Sequence, residues 1–239
     1  MVLSTPPYAP PTTPWLCVIH EDRDMVVVNK PGGLLSVPGR GPELLDSVLT
    51  RVRAGHPLAQ AVHRLDLGTS GILVMATRRK AEAALRRQFQ ERLTRKVYVA
   101  LVEGVMSRDS GLIDLPLICD WPNRPRQMVC HQTGKPARTE FQVLKRLDAS
   151  TLVRLLPRTG RSHQLRVHLA SLGHPILGDN LYGGDQSDVP TTRLCLHASQ
   201  IGLFHPHAGN WMQFTAPCDF ADVEPLILTP PEAPPEPIA

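Results

Sequence analysis

Apolar positions recur along the chain with two periods, and each change of period marks an element. Residues 15–20 and 25–29 are short apolar runs joined by Glu-Asp-Arg-Asp, which predicts a β-hairpin. Lys30-Pro31-Gly32-Gly33 breaks the pattern, and an irregular loop follows to Gly41. Over 43–54 the spacing becomes helical, with Leu44, Leu45, Val48, Leu49 and Val52 on one side. Gly55 supplies a C-terminal stop, with Pro57 just beyond it. An apolar strand over 72–76 precedes Thr77, a candidate cap for a second amphipathic helix over 78–93. That helix would bury Ala81, Ala84, Leu85 and Phe89 and turn Arg79, Arg86 and Arg87 outward.

The second half reads mainly as strands. Residues 95–103 alternate, with Val97, Val99 and Leu101 on one face and Tyr98 on the other. Further strands are expected near 111–118, 126–131, 138–147 and 151–157. Ser162 is a candidate cap for a short helix over 163–172, ended by Gly173 and Pro175. A strand near 194–203, a turn at 206–210 and a strand over 211–216 close the pattern. Many strands, few helices and no βαβ alternation predict an α+β fold around a largely antiparallel sheet. No repeat or Gly/Ser linker divides residues 15–220, which read as one domain. Pro occupies five of the first 14 positions and six of the last 15. Residues 1–14 and 221–239 are therefore expected to be disordered.

Composition narrows the function classes. At 239 residues, 42% hydrophobic and 20% charged, the chain is in the range of soluble globular proteins. No apolar run is long enough to cross a bilayer, and residues 1–14 lack the basic-then-apolar layout of a secretion signal. Five scattered cysteines without a C-x-x-C pair support neither a disulfide framework nor a zinc ribbon, so a reduced cytoplasm is expected. The tail at 221–239 holds four acids and no Lys or Arg, so the body is more basic than the net +4 of the chain. Residues 78–96 carry eight basic side chains against two acidic ones. That excess suits a polyanion partner, although a solvated helix face would look the same.

Three segments offer chemistry. In His63-Arg64-Leu65-Asp66, a lone carboxylate follows a basic pair and precedes a Gly-Thr-Ser-Gly turn into the 72–76 strand. Such an acid sits on rigid structure yet stays reachable; the plainer reading is a turn cap. In Arg158-Thr-Gly-Arg161-Ser-His163-Gln-Leu-Arg166-Val-His168, Arg161 lies on the turn before a helix, a corner that attracts anions. Were it to reach a carboxylate, it would hold that group ionised, fit for attack or proton abstraction. An ordinary salt bridge is the alternative. Tyr98 could line a cleft and stack on a base, or simply pack across strands.

Together these segments resemble the RluA family of RNA pseudouridine synthases. The matching pieces are Val-Asn-Lys-Pro-Gly-Gly-Leu-Leu-Ser-Val-Pro-Gly (28–39), His-Arg-Leu-Asp (63–66), Lys-Val-Tyr-Val-Ala (96–100), Thr-Gly-Arg-Ser-His-Gln-Leu-Arg-Val-His (159–168) and Gly-His-Pro-Ile-Leu-Gly-Asp (173–179). The insert at 114–127, and only about 14 residues where other members carry an S4 domain, fit the branch that modifies both 23S rRNA and tRNA. The resemblance implies the pseudouridine synthase fold, a mixed, largely antiparallel sheet with a central cleft. It implies Asp66 as the catalytic carboxylate, Tyr98 stacking on the target and taking the C5 proton, and Arg161 holding Asp66 charged. Arg64 would reach into the RNA where the target base leaves its stack, with His63 and Arg166 as further RNA contacts. The implied substrates are a tRNA anticodon stem-loop and a 23S rRNA hairpin loop. The isomerisation exchanges only hydrogen, so neither cofactor nor metal is called for. The short loop near 183–190 matches less well and is assigned no role.

Three rival readings fare worse. His163 and His168 are five apart with no carboxylate between them, unlike the i, i+4 zinc helix, and Lys30-Pro-Gly-Gly lacks the phosphate-loop order. A non-catalytic RNA-binding or RNA-folding protein with the same basic cleft is the stronger alternative, but it has no need of Asp66, Tyr98 and Arg161 together.

Overall fold

Strands β1 (Val18–Glu21) and β2 (Met25–Lys30) form the expected hairpin, turned by Asp22, whose carboxylate accepts the amides of Asp24 and Met25. The computed structural model describes residues 7–183 and 191–231. Helix α1 (Val48–Arg53) and the two-residue strand β3 (Gln60–Ala61) lead to β4 (Ser70–Ala76), α2 (Arg79–Gln90) and β5 (Arg95–Glu103). Strands β6 (Ser110–Asp114), β7 (Leu117–Cys119), β8 (Gln127–Val129), β9 (Arg138–Arg146) and β10 (Ser150–Pro157) follow. Helix α3 (Gln164–Ser171), β11 (Leu196–Phe204) and β12 (Trp211–Thr215) complete the order. Among the described residues no helix is long and apolar enough to cross a membrane.

Ten strands make one sheet in the order β1-β2-β4-β11-β5-β10-β9-β6, with β3 and β12 attached to β4 and β11. Among the described residues only β4 and β11 run parallel; every other pair is antiparallel. The parallel pair lies in the middle, and both strands are buried along their whole length. That requires close approach. Gly71 has φ 108°, and a Cβ there would stand 2.3 Å from the Ala198 carbonyl oxygen. The Gly-Thr-Ser-Gly turn is thus fixed by packing of the sheet centre.

Alternation along β2 and β4 feeds two cores. Met25, Val27, Ile72 and Val74 pack with Leu85 of α2, whereas Val26, Val28, Leu73 and Met75 pack with Val48 and Val52 of α1. A third core joins Val102, Phe141, Val153 and Leu155 to Leu169 of α3. Each such large apolar side chain contributes roughly 1.5–3 kcal/mol. The α+β class expected from the sequence is present with its strands, except that the run expected near 111–118 is split: β6 stays in the main sheet, and β7 pairs with β8 as a separate hairpin.

Several local expectations are corrected. The helix expected over 43–54 is two pieces, a 3₁₀ turn at Pro42–Leu44 and α1, because Ser47 and Thr50 form a capping box that restarts the helix. Leu45 is consequently exposed. Thr77 does not cap α2; its hydroxyl donates to the Arg23 carbonyl, and Arg78 takes the cap position while pairing with Asp24. On α2, Gln88 is buried beside Ala81 and Leu85. Its amide donates to the Phe204 carbonyl and accepts the Phe204 amide.

The expected tails are not wholly loose. Buried Arg51 donates to the carbonyls of Pro11 and Trp15, and the Tyr8 hydroxyl donates to the Asp46 carbonyl and accepts the Leu35 amide. At the other end, the Leu226 carbonyl accepts from Gln200 and Gln213, and Trp211 donates to the Leu228 carbonyl. Proline content indicated missing secondary structure, but these segments are held by polar side chains of the body instead. Residues 1–6 and 232–239, the outer parts of both tails, lie outside the described residues, as does most of the 183–190 loop.

Candidate active site

The loop between β3 and β4 carries Asp66 and is held from beneath. Buried Ser36 clasps Leu65, its hydroxyl accepting the Leu65 amide at 3.0 Å and donating to the Leu65 carbonyl at 2.7 Å. Lys30 is fully buried, and its ammonium donates to the carbonyls of Pro31, Leu34 and Leu67. Burial lowers Lys30 to about 7; the nearby negative charge of Asp66 opposes that shift, and Arg193 adds to it. The Lys-Pro-Gly-Gly loop is therefore a support for the Asp66 turn.

Asp66 is half-buried, and one of its oxygens meets two donors. Oδ2 lies 3.5 Å from Nη1 of Arg166 and 3.8 Å from Nε2 of His163. Among the described residues no hydrogen bond falls on Oδ1. Arg166 in turn grips Asp179 with two bonds, 2.7 Å from Nε and 2.6 Å from Nη2. Asp179 is buried and also accepts the amides of Leu181 and Tyr182. Burial works against the Arg166 charge, but the Asp179 hydrogen bonds and the charges of Asp179 and Asp66 outweigh it and push the guanidinium up. Three charged groups thus form a fixed string in which Arg166 is shared.

The ion pair expected between Arg161 and Asp66 is absent. Arg161 lines the same cleft, but its Nε donates to the Pro136 carbonyl at 3.2 Å. The reason lies in the turn. Gln164, at the start of α3, accepts both the Arg161 amide and the Thr159 hydroxyl, and this closes the 159–164 loop with Arg161 directed at residue 136. Arg166, one and a half turns on, points inward to the carboxylate. Ser162 does not cap α3; the cap position belongs to His163, in the left-handed region at φ 51°.

Tyr98 lies on β5 and lines this cleft with Asp66. Burial, then the Asp66 charge, raise its phenol, which is neutral at ordinary pH. The cleft, counted with its open mouth, spans about 470 Å³, and Arg64 stands exposed on its rim. It adjoins a larger groove bordered by Arg92, Arg95, Lys96 and Arg158. Lys96, lowered by burial to about 8, remains largely charged at neutral pH.

His63 is corrected too. Its ring stacks on Phe89 with centroids 4.4 Å apart, and Nε2 accepts the Val74 amide at 2.9 Å. Burial lowers it to about 3, so it is a neutral structural residue beside the groove rather than a cation for phosphate. Arg166, expected at the RNA, is instead the partner of Asp66. His168 is buried between Thr139 and the Leu115 carbonyl. Asp179, Lys30 and Tyr182 were missed as members of the site.

Comparison with known proteins places the chain in a family. Residues 24–171 match the model of the RNA pseudouridylate synthase family. A dual-specificity RNA pseudouridine synthase RluA from Vibrio vulnificus is 53% identical over 93% of this chain and 91% of its own length. The protein of that name from Escherichia coli is 54% identical over 89% of this chain and 98% of its own. Among solved structures, human RNA pseudouridylate synthase domain containing 1 superposes with a TM-score of 0.73 at 30% identity, covering 86% of this chain and 84% of that one. A carboxylate on a sheet-centre turn, tied to a shared arginine in a cleft that opens on a basic groove, is thus found in a chain that belongs to the RluA family of RNA pseudouridine synthases.

Proposed function

We propose that this chain isomerises uridine to pseudouridine in structured RNA, with Asp66 as the catalytic carboxylate. The observation that carries the reading is the Asp66 carboxylate itself, bound by donors on Oδ2 alone and left open at Oδ1 within a cleft lined by Tyr98. The reaction breaks the N1–C1′ bond, turns the freed uracil, and joins C5 to C1′. The C5 hydrogen departs and N1 gains one, so atoms balance without redox chemistry.

The target must first leave its stack, at a cost of a few kcal/mol. Arg64 at the rim fills the place it leaves, and the groove of Arg92, Arg95, Lys96 and Arg158 takes the phosphates. Arg161 belongs with these contacts. Asp66 Oδ1 then removes the ribose 2′ proton as N1 leaves with the bonding pair, giving a glycal and the uracil anion; once the base has turned, C5 adds to C1′ and Asp66 returns its proton to C2′. Tyr98 stacks on that uracil, and as a neutral phenol it accepts the C5 proton on its oxygen while handing its own onward. The substrates we infer are a tRNA anticodon stem-loop and a 23S rRNA hairpin loop, the two that the branch resemblance implies; the relatives' name, dual-specificity RNA pseudouridine synthase, supports two RNA targets without saying which.

Transcripts of both hairpins with tritium at uridine C5 test the reading. The intact protein releases tritium from both, and Asp66→Asn binds them without release. Binding with no release by the intact protein would make it the RNA-folding alternative. Release surviving in Asp66→Asn would remove the carboxylate from the mechanism.

A further inference from the structure

His163 is the one cleft residue whose backbone is in the left-handed region, at φ 51° and ψ 18°, an uncommon state for a residue with a Cβ. Something holds it there. Its Nδ1 lies 2.7 Å from the Tyr182 hydroxyl, and that hydroxyl accepts the backbone amide of Gln127, also at 2.7 Å. Gln127 begins β8 in the separate β7–β8 hairpin. The Tyr182 ring is flanked by two guanidiniums, Arg126 of the hairpin at 5.4 Å and Arg166 of α3 at 5.1 Å.

This chain of bonds points to a tautomer. With the Gln127 N–H donating to the Tyr182 oxygen, we infer that the phenol's own proton goes to His163 Nδ1, the acceptor 2.7 Å away. A neutral ring with Nδ1 accepting carries its hydrogen on Nε2. That nitrogen faces Asp66 Oδ2 at 3.8 Å, a separation that small movements on substrate binding can close.

We propose that His163 is a positioning residue, locked by Tyr182 and the β7–β8 hairpin as the Nε2–H tautomer so that, with Arg166, it occupies Oδ2 of Asp66 and reserves Oδ1 for the ribose. The proposal rests on the catalytic reading above and adds that the hairpin acts on the carboxylate through two side chains. Burial lowers His163, which agrees with a neutral ring.

The test separates chemistry from backbone conformation. ¹⁵N spectra of the free protein at neutral pH, with the His163 signals assigned by their loss in His163→Gln, report the tautomer directly. Protonation on Nε2 is expected, and protonation on Nδ1 overturns the proposal whether or not the protein is an enzyme. Under single-turnover conditions with saturating protein, His163→Gln keeps a donor at the Nε2 position and retains most of the rate. His163→Asn is the better left-handed residue but has no donor there, and it slows about 10- to 100-fold, the worth of one bond to a charged group, with RNA affinity unchanged. Asn matching or exceeding Gln, or equal loss in both, would show that only the turn matters and would overturn the proposal. Failure of the parent to release tritium would instead refute the catalytic reading.

Discussion

Arg161 and Arg166 lie five residues apart in one segment, border one cleft, and do opposite work. Arg166 is buried, makes two short bonds to Asp179, and turns Nη1 to Asp66. Arg161 is half-buried and holds one backbone carbonyl. The difference extends to the two sides of the cleft. The side built from Lys30, Ser36, Arg166 and Asp179 is saturated with internal bonds and fixes the Asp66 turn. The side built from Arg64, Lys96 and Arg161 keeps its charge at the opening. Burial, not residue type, decides which arginine organises the carboxylate and which is available to RNA. A guanidinium taken out of water needs paired acceptors, and Asp179 supplies them.

The largest effect should come from the group that both sides serve. Asp66→Asn is expected to lower the single-turnover rate by roughly 10⁴-fold or more while RNA affinity, read by filter binding, stays near the parent value. On the saturated side, Arg166→Met strands the buried Asp179 carboxylate and should cost about 3–5 kcal/mol in urea unfolding. Lys30→Met should cost about 2 kcal/mol by the same measurement, because three carbonyls lose their donor. Unchanged midpoints in these two variants would erase the distinction between the sides.

Acid should act through His63. Its folded value of about 3 is below the ordinary 6.5, so the unfolded chain binds more protons between those limits. Stability is then full above about pH 6.5 and falls as pH drops toward 3. His63→Gln, which can still accept the Val74 amide, should flatten that part of the pH–stability curve. On the open side, Arg161→Ala should weaken RNA binding about tenfold or less and reduce the slope of log affinity against log salt by about one. A loss independent of salt would argue that Arg161 is not a phosphate contact.

The sequence carried the strands, the class and the members of the cleft better than it carried their pairings. Alternation in 95–103 placed Tyr98 correctly because one face of a strand has a fixed period. The inward role of Arg166 was hidden because its partners, Asp66 and Asp179, are 100 and 13 residues away. Arg161 looked the better partner because it precedes a helix, but Gln164 already satisfies that corner. His63 looked basic beside Arg64, yet its ring lies under Phe89. Lys30 read as loop punctuation before Pro and Gly, since nothing local reveals that three carbonyls converge on its ammonium. In each case local chemistry was legible and the tertiary partner was not.

The account turns on which arginine sustains the chemical step, and single-turnover rates at saturating protein measure that directly for Arg161→Ala beside Arg166→Lys. The expected result is a rate near the parent's for Arg161→Ala, with its deficit confined to binding, and a rate reduced by at least about tenfold for Arg166→Lys, which keeps a charge but loses the fork that spans Asp179 and Asp66. A slow step in Arg161→Ala together with parental turnover in Arg166→Lys would contradict it.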